Sequence, residues 1–137
     1  MSLPSPDSNS SPKKILIVDD ARTNRLMLKR ILALLKFEVR EAKNGLEAIY
    51  QCSAWQPDLI FMDLMMPEMN GLAAAKKIRQ GVQGNQVIII AYTAGPEADE
   101  TQMCTIPPGC NDILYKPFKI NDVISLLNHY LNIEISV

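Results

Sequence analysis

Four apolar runs in this chain lead to residues that can do chemistry. Ile15-Leu16-Ile17-Val18 runs into Asp19-Asp20, Leu59-Ile60-Phe61-Met62 into Asp63, Val87-Ile88-Ile89-Ile90 toward Tyr92-Thr93, and residues 112–115 into Lys116-Pro117. An acidic pair after a strand is ordinarily a cap or loop feature, and a lone Thr or Lys says less. If all four ends meet, three carboxylates, a hydroxyl and an ammonium share one cleft. Carboxylates that close repel and resist ionisation unless a cation sits among them. A hard divalent ion with oxygen ligands meets that need. Mg²⁺ fits best, because it uses one or two carboxylates, keeps several waters and leaves room for phosphate oxygens. The backbone carbonyl of Met65 can add a neutral oxygen, with Pro67 fixing the following turn. If the Asp63 carboxylate attacks an incoming phosphoryl group, its single charge becomes a group of about −2. Lys116 can answer with an ion pair and Thr93 with its hydroxyl.

Such a cleft needs elements that bring the run ends to one edge. Short β-type runs alternate along the chain with helix-type spacing. Strands are expected over residues 15–18, 37–41, 59–62, 87–90 and 112–115. The continuous apolar run over 15–18 suits a central strand covered on both faces, and that over 87–90 a buried strand. Helices are expected over about 22–36, with Met27, Ile31, Leu34 and Leu35 on one stripe, and over 44–54, using Leu46, Ile49 and Tyr50. A third is expected over 71–80, capped by Asn70, with Leu72, Ala75 and Ile78 inward. A shorter one is expected over 96–104, and a last one carries Ile120, Val123, Ile124, Leu127, Tyr130 and Leu131. Strands each followed by a helix imply an α/β fold, a doubly wound parallel sheet with right-handed crossovers and helices on both faces. Ligand sites in such sheets lie at the carboxyl ends of the strands, where the acidic and basic residues fall.

The 137 residues suffice for one domain. Residues 1–12, rich in Ser and Pro, read as a flexible leader or linker, and 13–137 as the domain. The net charge of −1 gives no electrostatic reason to expect nucleic acid or an anionic membrane as partner. Cys52, Cys104 and Cys110 lack metal-site spacing and read as small thiols in a reducing compartment. With no signal-peptide pattern and no long apolar span, a cytoplasmic location is expected. His129 and the Lys76-Lys77-Arg79 group read as solvated helix surface, and Trp55 as packing over a helix end.

The pieces ILIVDD, FMDLMMPEMNG, IIIAYTA and LYKPF, in that order across residues 14–131, resemble the receiver domains of two-component response regulators. The resemblance implies a flavodoxin-like five-stranded sheet in the order 2-1-3-4-5. It also implies Asp63 as phosphoacceptor, Asp19, Asp20, Asp63 and the Met65 carbonyl around Mg²⁺, Thr93 as switch hydroxyl, Lys116 as phosphate partner, and a cis Lys116-Pro117 bond. The stretch DDARTNRLMLKRIL is similar to receivers attached to hybrid sensor histidine kinases. The partner implied is a histidine kinase or histidine phosphotransfer domain, and a free-standing receiver is the neighbouring reading. The module would phosphorylate and dephosphorylate itself rather than act as an enzyme on a separate substrate.

Two features depart from the family pattern. The position three before the lysine, often Tyr or Phe, is Ile113, while Tyr115 shares its strand face. Pro107-Pro108 is expected to reshape the surface where many receivers form homodimers. A phosphorylation-independent adaptor on the same fold is the main alternative. An aspartate-nucleophile phosphatase would need an acid where Met65 stands, and a nucleotide- or flavin-binding protein a Gly-rich loop after the first strand.

Overall fold

Continuous β-branched runs are stable as strands only when both faces are covered, and this chain covers both. The computed structural model describes residues 13–66, 69–81, 86–94 and 106–134. The leader, Pro67, the helix expected over 96–104 and Cys104 lie outside the described residues. Five strands, β1 (Lys14–Val18), β2 (Glu38–Ala42), β3 (Leu59–Asp63), β4 (Ile88–Ala94) and β5 (Asp112–Lys116), form one sheet in the order β2-β1-β3-β4-β5. Every neighbouring pair is parallel. Four helices, α1 (Arg22–Leu34), α2 (Gly45–Trp55), α3 (Gly71–Arg79) and α4 (Ile120–Leu131), complete the described fold. The strand order is the expected one, and the Lys116-Pro117 bond is cis, as the resemblance implied.

Alternation along the strands divides the core. Leu16, Val18, Ile60, Met62 and Ile89 face α2 and α3, meeting Ala48, Ala74, Ala75 and Ile78. Ile15, Ile17, Leu59, Phe61, Ile90 and Tyr92 face the other way, onto Leu28 and Leu32 of α1 and Val123 and Leu127 of α4. Asp19 and Asp63 continue the second alternation, so their places on that face are set by strand geometry.

The helix faces match the expected stripes in part: Ala75 and Ile78 of α3 and Val123, Ile124 and Leu127 of α4 are buried as expected, while other positions are not. In α1 the buried residues are Leu28 and Leu32, while Met27 and Leu34 stand 57% and 76% exposed. Leu46, Tyr50, Leu72 and Ile120 also point outward. The physical reason is that α1 is apolar on more than one face, so spacing alone does not choose which leucines turn in. In α2 and α3 many of the inward contacts are made by alanines, whose small side chains let a helix lie close on the sheet. Leu32→Ala is therefore expected to cost about 2–5 kcal/mol in urea denaturation, and Leu34→Ala less than about 0.5 kcal/mol. Equal losses at the two positions would restore the original stripe.

Arg79 also departs from the surface group to which its neighbours belong. Lys76 and Lys77 are exposed, but the Arg79 guanidinium donates to the carbonyls of Val87 (2.6 Å) and Gly109 (3.0 Å) and to Asn111 Oδ1 (2.7 Å). Asn111 Oδ1 accepts in addition from the Ile89 N–H at 2.8 Å. This clasp ties the loop before β5 to the start of β4. Trp55 is buried at the end of α2, with the Arg40 guanidinium 4.7 Å from its ring centroid, and His129 is exposed on α4. Cys52 and Cys110 are free and half-buried, and burial pushes both thiols above their ordinary value.

Candidate functional site

The carboxyl ends of β1, β3 and β5 converge. One carboxylate oxygen each from Asp19, Asp20 and Asp63 lies within 4.8 Å of the others, a grouping able to hold a metal ion. Asp19 and Asp63 are buried while Asp20 is exposed, so the cluster has a closed floor and an open rim. The Lys116 ammonium sits 3.3 Å from Asp19 Oδ2 and 3.7 Å from Asp63 Oδ2. Its charge is too little to neutralise three carboxylates.

Asp63 shows the imbalance. Burial pushes its carboxyl up to about 6, with the nearby Asp19 charge adding to the rise; the Met65 N–H and the Lys116 ammonium oppose it. The carboxylate is nonetheless aimed. Its Oδ1 accepts from the Met65 N–H at 3.0 Å, which leaves Oδ2 on the Lys116 side. Asp63 and Lys116 are themselves the last residues of β3 and β5, held by the sheet rather than by loops.

The Met69-Asn70-Gly71 segment explains part of the rigidity. Asn70 caps α3, its Oδ1 accepting from the Ala73 N–H at 2.9 Å. Gly71 packs against the backbone of Asp63, and a Cβ there would collide with the Asp63 carbonyl oxygen. Only glycine allows this approach. The start of α3 therefore braces the strand end that carries Asp63.

Tyr92 carries more of the site than its place at a strand end suggested. It is the register partner of Asp63, is buried, and packs edge-on against Phe118 at 5.9 Å. The Lys116 ammonium lies 4.3 Å from its ring centroid, close enough for a cation–π contact. Burial and the Asp19 and Asp63 charges raise the Tyr92 phenol above its ordinary range. Thr93 lies next along β4, half-exposed, with Tyr115 as its register partner. Ile113 is paired instead with Ala91. Met65 is exposed at the rim. Asp19, Asp20, Asp63 and Lys116 are thus brought together, and Thr93 stands beside them on the neighbouring strand.

A doubly wound parallel sheet with an acidic cluster and a lysine at its carboxyl edge defines a phosphoacceptor class of signalling module. Residues 15–128 match the family described as the response regulator receiver domain. The chain belongs to that family, and is a receiver domain of two-component signalling. It is 40% identical over 117 residues to the chemotaxis protein CheY of Thermotoga maritima, covering 85% of this chain and 95% of that protein. Among solved structures it resembles the receiver domain of the sensor histidine kinase PA1611 from Pseudomonas aeruginosa, with magnesium coordinated in its active-site cleft. That match has a TM-score of 0.80 and 29% identity, covering 90% of this chain and 100% of the other. It also resembles the receiver domain of Ssk1 of Saccharomyces cerevisiae, crystallised with the histidine phosphotransfer protein Ypd1. Here the TM-score is 0.74 and the identity 30%, with 87% and 88% of the two chains covered.

Proposed function

We propose that Asp63 is the phosphoacceptor of this receiver, that Asp19, Asp20, Asp63 and the Met65 carbonyl hold Mg²⁺ beside it, and that Thr93 and Lys116 receive the phosphate. The observation that carries this reading is a buried Asp63 carboxylate with one oxygen fixed by the Met65 N–H and the other near the Lys116 ammonium. The donor set suits the ion. Its atoms are hard carboxylate oxygens, two of the three acids are buried, and one lysine leaves negative charge uncompensated. When bound, the ion would neutralise the carboxylates and the oxygens of the incoming phosphoryl group.

The residues of the chain do the rest. An Asp63 oxygen attacks phosphorus, the bond from phosphorus to the donor histidine nitrogen breaks, and the imidazole leaves with that electron pair. The aspartyl phosphate carries about one negative charge more than the carboxylate it replaces. Lys116 meets that charge by moving from its place between Asp19, Asp63 and the Tyr92 ring. Thr93, one residue beyond the register partner of Asp63, can offer its hydroxyl after a small movement. Water later attacks the same phosphorus, the bond from phosphorus to the Asp63 oxygen breaks, and inorganic phosphate leaves as the carboxylate is restored. Phosphate alters the output only to the extent that it binds one conformation better than the other.

A histidine kinase or a phosphotransfer domain is the fitting donor, in keeping with the Ypd1 complex of the Ssk1 receiver, and the cytoplasm the fitting compartment. No described helix is long and apolar enough to cross a membrane. A phosphorylation-independent adaptor would have no use for buried aspartates sharing an ammonium, and is not favoured. The test is to incubate the protein with Mg²⁺ and acetyl phosphate and weigh it intact. One added phosphoryl group is expected, and none when EDTA replaces the metal. An unchanged mass with Mg²⁺ present would overturn the reading.

A further inference from the structure

Asp19 is held at each polar atom of its backbone and carboxylate. Its N–H donates to the Ala42 carbonyl at 3.1 Å. Its Oδ1 accepts from the Ala21 N–H at 2.8 Å and its Oδ2 from Lys116 at 3.3 Å. Its carbonyl accepts from Arg25 Nη1 at 2.7 Å, and this contact has no part in the chemistry described above. The Arg25 Nε in turn donates to Glu41 Oε1 at 3.0 Å, and the Arg25 side chain is only 15% exposed. Glu41 stands next to Ala42, which takes the Asp19 N–H. One guanidinium therefore links α1, the end of β2 and the end of β1.

The carbonyl of Asp19 and the N–H of Asp20 belong to one planar peptide. Anchoring that oxygen restrains the plane, and with it the position of the Asp20 Cα from which the exposed side chain departs. A buried Asp19 cannot compensate by turning, because its carboxylate is held on both oxygens. From this geometry we infer that Arg25, locked by Glu41, is a positioning residue that orients the Asp19-Asp20 pair for the divalent cation. The inference rests on the reading of the acid cluster as a magnesium site. Lysine is a poor substitute, since one ammonium lacks the planar fork that reaches a carbonyl and a carboxylate in fixed directions. Lys29 also contacts Glu41, at 3.0 Å, from a more exposed position; its ammonium bonds to Glu41 rather than to Asp19, and it serves as the control.

The test titrates the metal-free protein with Mg²⁺ alone by calorimetry, for wild type, Arg25→Ala, Arg25→Lys, Glu41→Gln and Lys29→Ala. Loss of an outer partner of a metal ligand typically weakens affinity by about 10- to 100-fold. Arg25→Ala is expected to raise the Mg²⁺ dissociation constant by about tenfold or more. Arg25→Lys should recover only part of this, and Glu41→Gln should show a smaller loss in the same direction. Lys29→Ala should match wild type. At saturating Mg²⁺ the phosphorylation rate with acetyl phosphate should return close to the wild-type value in each variant, a split that general loosening of the fold would not produce. The ¹⁵N shift of Asp20 should move in Arg25→Ala without metal, because the hydrogen bond to its own peptide is lost. Should Arg25→Ala fail to fold, Arg25→Lys and Glu41→Gln carry the same comparison. Unchanged Mg²⁺ affinity in the folded Arg25 variants would overturn the positioning role while leaving the magnesium site standing. A wild type that binds no Mg²⁺ would instead overturn both.

Discussion

Asp63→Asn is expected to gain no phosphoryl group from acetyl phosphate and Mg²⁺ under conditions where the wild type gains one. The substitution keeps the shape and the acceptor for the Met65 N–H but replaces the nucleophilic oxygen with an amide, which has no free anionic lone pair to attack phosphorus. The choice among the clustered acids follows from geometry. Asp19 is buried and committed at both oxygens, to the Ala21 N–H and to Lys116. Asp20 is exposed at the rim, where water competes with any donor. Asp63 alone combines a strand-held backbone, one anchored oxygen and burial against a lysine. Intact mass spectrometry decides the matter, with loss of at least about 100-fold in labelling as the expected effect, on the scale of losing an essential catalytic group. Retention of the added mass in Asp63→Asn would place the phosphoryl group on another residue and remove the proposed mechanism.

The residues that made this site legible in the sequence were those fixed by strand endings. Continuous runs such as Leu59 to Met62 announce a buried strand, and in a parallel sheet the carboxyl ends share one edge, so Asp19, Asp63 and Lys116 could be placed together from spacing alone. Asp63 and Lys116 are themselves terminal strand residues rather than loop residues just past the strand, a difference of one position. What the sequence could not show were contacts between distant elements. Arg25 and Glu41 are separated by 16 residues, and neither lies in a pattern that signals a partner. The register that sets Asp63 beside Tyr92 likewise depends on strand pairing, and so does the place of Tyr115 beside Thr93. Helix faces were legible only in part, for a different reason. Spacing rules weight large apolar residues, whereas Ala48 and Ala74 make close contacts here beside the expected Ala75, and Leu46, Tyr50 and Leu72 stay outside. Arg79 was misplaced because a basic residue in the last turn of a helix ordinarily faces solvent. Here it meets the carbonyls of Val87 and Gly109.

The aspartate cluster should also destabilise the metal-free fold, in a pH window that its chemistry fixes. An exposed carboxyl titrates near 4, and burial and Asp19 push Asp63 up to about 6 in the folded protein. The folded state therefore binds this proton more tightly than the unfolded chain does. The stabilising contribution is fully present below about pH 4 and is lost as the pH rises through about 6. Above that window the ionised Asp63 costs folding about 2–3 kcal/mol. Asp63→Asn removes the titration, since the amide stays neutral and can still accept from Met65. In EDTA at pH 8 this variant is expected to be more stable than wild type by about that amount, and at pH 4 the difference should shrink toward zero. Mg²⁺ at 100 times its dissociation constant should close most of this gap, because it stabilises the wild type by about 2.7 kcal/mol and stabilises Asp63→Asn less. Lowering the pH through 6 should weaken Mg²⁺ binding, since the proton competes for the same oxygen. Urea denaturation of both proteins, with and without metal at the two pH values, tests each arm. A metal-free Asp63→Asn that is no more stable than wild type at pH 8 would mean that the carboxylates do not strain the fold, and the electrostatic account of why this pocket takes a dication would have to be given up.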